Sequence, residues 1–213
     1  MPIKKHDFVE LEFTGRLKDT NEIFDTTDAK VAKDAQIFSE KGDYSPIVIC
    51  IGEGHILPGI DEFLEGKDAG NYKLDLPAEK AFGKKNAKLI VMIPTSKFAE
   101  QGIQPVPGLR LNIDNRVGMV KTVTGGRCVV DFNHPLSGRD VIYELKVNKL
   151  VADKKTQVEA VLKVLLGMRS PKVSVAEKKA KVTLPELPKP LLDELSKKLK
   201  ELTGLDIEYS FEK

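Results

Sequence analysis

The chain reads as an α+β protein. An antiparallel β-sheet wraps around one short helix, with a small β domain inserted and a C-terminal α/β module added. Three observations predict this. Strand-like alternation recurs at residues 7–15, 71–76 and 140–147, and residues 59–66 offer one short helix between the first two. A β-dense stretch with a Thr124-Gly-Gly126 hairpin turn is framed by host strands on both sides. The last sixty residues alternate leucine-striped helices with short β-branched runs. The boundaries follow: residues 1–86 with 136–152 for the host, 87–135 for the insert, 153–213 for the C-terminal α-β-β-α-β module.

In order, Asp7–Gly15 is a half-buried strand. Phe8, Leu11 and Phe13 do not share one parity, which predicts a bulge or a two-sided strand. Glu22–Asp25 is a second short strand, and 28–44 carries a weak helical pattern. Ile47–Ile51 is β-branched, and a Gly-containing turn leads through Ile56 and Leu57 into a helix closed by Gly66. Residues 71–76 form a strand and 77–83 a loop. In the insert, 89–93, 109–113, 116–120 and 127–131 are strands and 96–99 is a helical turn. After 140–147, Thr156–Leu166 is a helix stopped by Gly167. Residues 172–176 and 180–184 form a hairpin. A second helix is opened by Pro190 and closed by Gly204, and 205–211 is the last strand.

With 34 basic and 32 acidic residues, a net charge of +2 gives no argument for nucleic acid or an anionic membrane. No apolar run approaches a membrane span, and the start lacks a signal core, so a cytoplasmic location is expected. Cys50 and Cys128 are far apart and read as buried thiols. With His6, His55 and His134 they form no metal-ligand spacing, so neither metal nor cofactor is expected.

The segment Pro46-Ile-Val-Ile-Cys-Ile-Gly-Glu-Gly-His-Ile-Leu-Pro-Gly, together with Phe13-Thr-Gly15, Phe24-Asp25 and Ala81-Phe-Gly83, resembles the FKBP family of peptidyl-prolyl cis-trans isomerases. More closely it is similar to the SlyD-like, long archaeal subclass, whose flap carries a chaperone insert. The resemblance covers residues 3 to 150. Singly, each aliphatic residue is ordinary core material; the ordered combination is specific. It implies catalytic roles for Phe13 and Tyr143 as wall aromatics, Phe24 against the proline ring and Asp25 facing the twisting carbonyl. It further implies Ile56 and Leu57 at the helix mouth and Phe82 where the family has Tyr. Ile47 would be a wall residue and Ile60 the floor, where short members have Trp. Phe82 lacks a hydroxyl, so macrolide inhibitors should bind weakly. Asp25 also reads simply as a turn or cap residue.

The resemblance implies that the insert captures unfolded or partly folded chains and proline-containing peptides. Ile90, Met92, Leu109, Leu111, Val117, Met119 and Val129 are the candidate client contacts, or alternatively the insert's own small core. The C-terminal module is a candidate for homodimerisation. Lys197, Lys198 and Lys200 read as the solvated face of its last helix. Two other readings stand beside the enzyme: a non-catalytic holdase or peptide-binding protein, and an RNA-associated adaptor acting through the tail.

Overall fold

The computed structural model describes residues 1–113 and 116–211. The chain divides into two compact units, Met1–Leu76 with Asp140–Lys213, and Pro77–Arg139.

The first unit is built on a five-stranded antiparallel sheet. It comprises β1 (Phe8–Leu17), β2 (Ile23–Thr26), β3 (Ile47–Cys50), β4 (Gly70–Leu76) and β9 (Val141–Leu150). Strand β1 is the hub, pairing with β2, β3 and β9, while β4 pairs with the far side of β9. Cross-strand partners in such a ladder share a face. Three rows of partners therefore define the inner face: Ile47–Leu11–Val147, Phe13–Leu145–Tyr72 and Asp25–Gly15–Tyr143–Leu74. The parity conflict in the first strand resolves as a two-sided strand: β1 pairs with β3 without a slip, Phe8 is buried in a core on one face and Leu11 on the other. The β1–β9 register slips opposite Glu10 and Leu11, where Asn148 of β9 is the extra residue, and β1 runs on past Gly15 to Leu17. Between β2 and β3 lies helix α1 (Ala29–Asp34), capped by the Asp28 carboxylate, which accepts from the Lys30 and Val31 amides. The cap is Asp28; Asp25 belongs to β2.

Helix α2 (Pro58–Leu64) is seven residues long. It is entered at Leu57, and Pro58 supplies the pre-set φ of a first helical turn. Ile60 and Leu64, four residues apart and so on one side, are fully buried.

Residues after β9 add helix α4 (Lys154–Leu166), the hairpin of β10 (Lys172–Ala176) and β11 (Lys179–Leu184), helix α5 (Lys189–Thr203) and strand β12 (Asp206–Phe211). Strand β12 lies parallel to β11, which requires α5 as the crossover. Val158, Val161 and Leu162 of α4 and Leu195 and Leu199 of α5 close a core that also takes in Phe8 and Cys50. The tail, read from sequence as a separate module, thus shares its core with β1 and the end of β3.

The second unit holds a four-stranded antiparallel sheet in the order β5 (Ile90–Pro94), β8 (Arg127–Asp131), β7 (Arg116–Thr124), β6 (Arg110–Ile113), with the one-turn helix α3 (Thr95–Ala99) after β5. Strand β7 extends to Thr124, past the 120 expected, because a bulge between Val120 and Thr122 keeps it in register with β8. Phe98, Val120, Cys128 and Val130 form its buried centre. No helix among the described residues is long and apolar enough to cross a membrane.

Candidate active site

The site starts from a glycine. Gly15 occupies the middle of an inner-face row, and the β1–β2 register slips beside it, so that Gly15 pairs with Asp25 and Arg16 with Ile23. Phe24 is the extra residue of this bulge, and the kink re-aims its ring toward Gly15. A Cβ at Gly15 would stand 2.8 Å from Phe24 Cζ and 3.0 Å from Tyr143 Cε1. Only glycine leaves the space in which both rings sit.

The aromatic residues form a cluster. The Tyr143 ring lies 5.8 Å from Phe13, tilted by 51°, and 5.8 Å from Phe24, edge-on at 76°. Such tilted and edge-on pairs satisfy the ring quadrupoles. Tyr143 is buried, while Phe13 and Phe24 are half-buried, so the cluster presents apolar ring surface at its outer side.

Asp25 stands beside these rings, across Gly15 from Tyr143. Loss of solvent around its carboxyl raises its pKa above the ordinary value, opposed by a hydrogen bond from the Thr26 backbone. Burial, and then the Asp25 charge, push the Tyr143 phenol upward, so it remains a neutral hydroxyl.

The helix mouth is held by groups with no sequence signal of their own. The Asp61 carboxylate accepts from the amides of Gly52 (2.9 Å) and Gly54 (3.1 Å), tying the turn to α2. Gly52 and Gly54 both have positive φ, which lets the backbone turn its N–H groups inward. His55 Nδ1 accepts from the Cys50 amide at 3.1 Å, and burial lowers the pKa of its imidazole. Glu53, only 9% exposed, meets His6 Nε2 at 3.3 Å and Lys198 Nζ at 2.5 Å. Lys198 is therefore not merely part of a solvated face: α5 reaches the turn that precedes Ile56 and Leu57. Only the fold brings positions 6, 53 and 198 together, so no local pattern announces them.

Of the sequence-predicted residues, Ile47, Phe13, Phe24, Asp25 and Tyr143 fall on the sheet's inner face. Ile56 and Leu57 are half-buried at the mouth of α2 and Ile60 is completely buried within it. Phe82 belongs to the second unit. Its ring stacks flat on His134 at 4.8 Å, and its carbonyl accepts from Ser137 Oγ at 3.1 Å. Among the client candidates, Ile90, Met92, Val129, Met119 and Val117 share the open face of the second unit's sheet. Leu109 and Leu111 pack instead against the Phe98 cluster, because their parity puts them on the opposite side. Among the described residues no group of three His, Cys, Asp or Glu side chains is placed to hold a metal.

The family model of the FKBP-type peptidyl-prolyl cis-trans isomerase matches residues 1–100, and that of the FKBP26 IF domain matches residues 91–136. The chain is 30% identical over 146 residues to a short-type peptidyl-prolyl cis-trans isomerase of Methanocaldococcus jannaschii, covering 68% of this chain and 92% of that one. It is 31% identical over 111 residues to a probable FKBP-type 16 kDa isomerase of Pseudomonas fluorescens, covering 49% of this chain and 73% of that one. It is 26% identical over 135 residues to SlyD of Pasteurella multocida, covering 61% and 65%. A sheet with its aromatic cluster around a glycine, a Pro-started helix mouth and this degree of likeness lead to one assignment: the chain belongs to the FKBP-type peptidyl-prolyl cis-trans isomerase family.

Proposed function

We propose that the chain accelerates rotation about X-Pro bonds in unfolded protein clients that its 87–135 insert captures, working in the cytoplasm. The observation that carries the reading is the cluster of Phe13, Phe24 and Tyr143 around Gly15, with one partly desolvated carboxylate, Asp25, in the same row. Rotation breaks amide resonance and costs ~18–20 kcal/mol uncatalysed. No bond to carbon is made or broken, so the site needs neither nucleophile nor metal.

Catalysis requires preference for the twisted amide over both planar isomers. Aromatic and aliphatic walls remove the water that hydrogen-bonds the planar, polar form. Twisting withdraws negative charge from the carbonyl oxygen, so a carboxylate beside that oxygen repels the planar form more than the twisted one. In this reading Phe24 and Phe13 take the proline ring, Asp25 faces the carbonyl, and Ile56 and Leu57 border the substrate backbone. Ile47 and Ile60 complete wall and floor, and Phe82 keeps the role its sequence motif assigns. Without the Phe82 hydroxyl, a macrolide inhibitor loses one hydrogen bond, about 0.5–1.5 kcal/mol.

A protease-coupled cis-to-trans assay on an X-Pro peptide tests the reading. Asp25→Ala and Phe24→Ala should each lower turnover by about an order of magnitude or more. Unchanged turnover in both would reject this site and leave a non-catalytic holdase. Deleting 87–135 should spare peptide turnover and abolish protection of an aggregating client.

A further inference from the structure

The charge of this chain is not evenly spread. Residues 77–139 carry ten Lys and Arg against four Asp and Glu, a net +6. The rest of the chain holds the remaining 24 basic and 28 acidic residues, a net −4. The overall +2 conceals two segments of opposite sign.

In the second unit the positive charge borders its open sheet face. Cross-strand partners place Met92 with Val129, and Ile90, Asp131, Met119 and Arg110 in one row, with Val117 two residues along β7. Ile90, Met92 and Val117 are 43%, 57% and 67% exposed. The Arg127 guanidinium lies 3.6 Å from the Met92 sulfur and Lys121 Nζ lies 3.8 Å from the Met119 sulfur. A groove of about 290 Å³ runs here, lined by Val117 and Met119 with Arg110, Lys121 and Lys85. The acid in this groove, Asp131, is itself occupied: it accepts from the Asn133 amide at 2.9 Å and from the Asn133 side chain at 2.8 Å. Its other oxygen lies 3.9 Å from Lys85 Nζ, so this one carboxylate offsets part of the charge of Lys85, Arg110, Lys121 and Arg127 and leaves the face net positive.

We propose that this face selects chain segments in which aliphatic residues are flanked by Asp or Glu, and discriminates against segments flanked by Lys or Arg. The proposal rests on the reading of the second unit as the client-capturing one and adds its selectivity. Flexible Met side chains and exposed aliphatics accept many apolar sequences, so they confer little discrimination. The cationic border supplies it, by attraction for acidic flanks and by like-charge repulsion of basic ones. The sheet-face residues are aliphatic, and of the two rings lining the groove Phe132 packs against the Phe98 cluster and His134 is stacked on Phe82, which favours an acidic polypeptide over single-stranded nucleic acid.

The test uses the full chain and three fluorescein-labelled peptides sharing one Ile, Leu, Val and Met centre, flanked by Glu, Ser or Lys. Anisotropy at low salt should rank them Glu over Ser over Lys, with about tenfold between the extremes. The ranking should collapse as salt shortens the screening length. Arg110→Glu with Arg127→Glu should invert the order. Equal binding of all three peptides overturns the selectivity and leaves client capture standing, whereas binding of none overturns both. Tighter binding of a single-stranded RNA oligonucleotide than of the Glu peptide also overturns it. Should the double variant misfold by circular dichroism, the peptide ranking and its salt dependence in the unaltered protein still decide.

Discussion

Asp25 and Tyr143 face each other across a single glycine: Gly15 is the register partner of Asp25 in β2 and of Tyr143 in β9. The carboxylate and the phenol therefore share one face with no intervening side chain, and the Phe24 ring fills the gap. Three consequences concern this row and the helix mouth, and a fourth the core beneath the mouth.

Gly15→Ala should disable the site. The new methyl would meet Phe24 Cζ at 2.8 Å, closer than real Cβ contacts come, and Tyr143 Cε1 at a tight 3.0 Å. Overpacking of this kind costs about 1–3 kcal/mol and displaces the rings. Urea denaturation should show the loss of stability and the coupled assay a deeper loss of turnover. A variant with native turnover would show that the rings have no set position to keep.

Asp25→Asn should be more stable than the native chain at neutral pH. Desolvation raises the Asp25 pKa in the folded state above its ordinary value of 3.8. The folded chain therefore holds this proton more firmly than the unfolded chain. Below the ordinary value both states are protonated and the group is neutral in its effect. As pH rises through the raised folded value the charge must form on a carboxyl that is only partly desolvated, exposed as the residue is, and a modest stability is lost relative to Asn. Denaturation midpoints of the two chains should converge on acidification and separate toward pH 7. A gap independent of pH would rule out this account.

Lys198→Ala should loosen the helix mouth from a distance. Glu53 is nearly buried and, of its two ion-pair partners among the described residues, would keep His6 at 3.3 Å. Removing one side of a pair whose other member is buried costs several kcal/mol when both are enclosed. Lys198 is 35% exposed, so about 1–2 kcal/mol is the fitting scale. Lys198→Arg should restore most of it. A double-mutant cycle with Glu53→Gln measures the coupling, and additive effects would deny it.

Cys50 should resist thiol reagents in the native protein. Burial, followed by the charge of Glu53, pushes its pKa up to about 12, and the thiolate is the reactive form. At mildly alkaline pH the native chain should label slowly and the denatured chain at once. Rapid labelling of the folded protein would show that the shared core opens.

Much of this was legible from sequence, because strands, turns and helix stops are local events. The three alternating runs, the Thr124-Gly-Gly126 turn and the glycine stops at 167 and 204 lie where local backbone preference puts them. The parity conflict of Phe8, Leu11 and Phe13 already signalled that β1 is two-sided. The motif residues Phe13, Phe24 and Asp25 could be singled out by type and order alone. Their meeting with Tyr143 could not, since it depends on register between strands far apart in sequence, and on a slip that makes Phe24 the extra residue beside Gly15. The same holds for Leu109 and Leu111, which composition offers as client contacts and cross-strand parity commits to the Phe98 core.

By itself, then, the sequence determined the elements, the family pattern and the uneven placement of charge, all of which are written in neighbouring residues. Only the tertiary structure decided that Lys198 of the last helix braces Glu53 beside the helix mouth, and that Met92, Met119 and Val117 face outward among arginines and lysines. Contacts across long loops depend on which faces the packed sheets leave open, and a linear pattern carries no record of that choice.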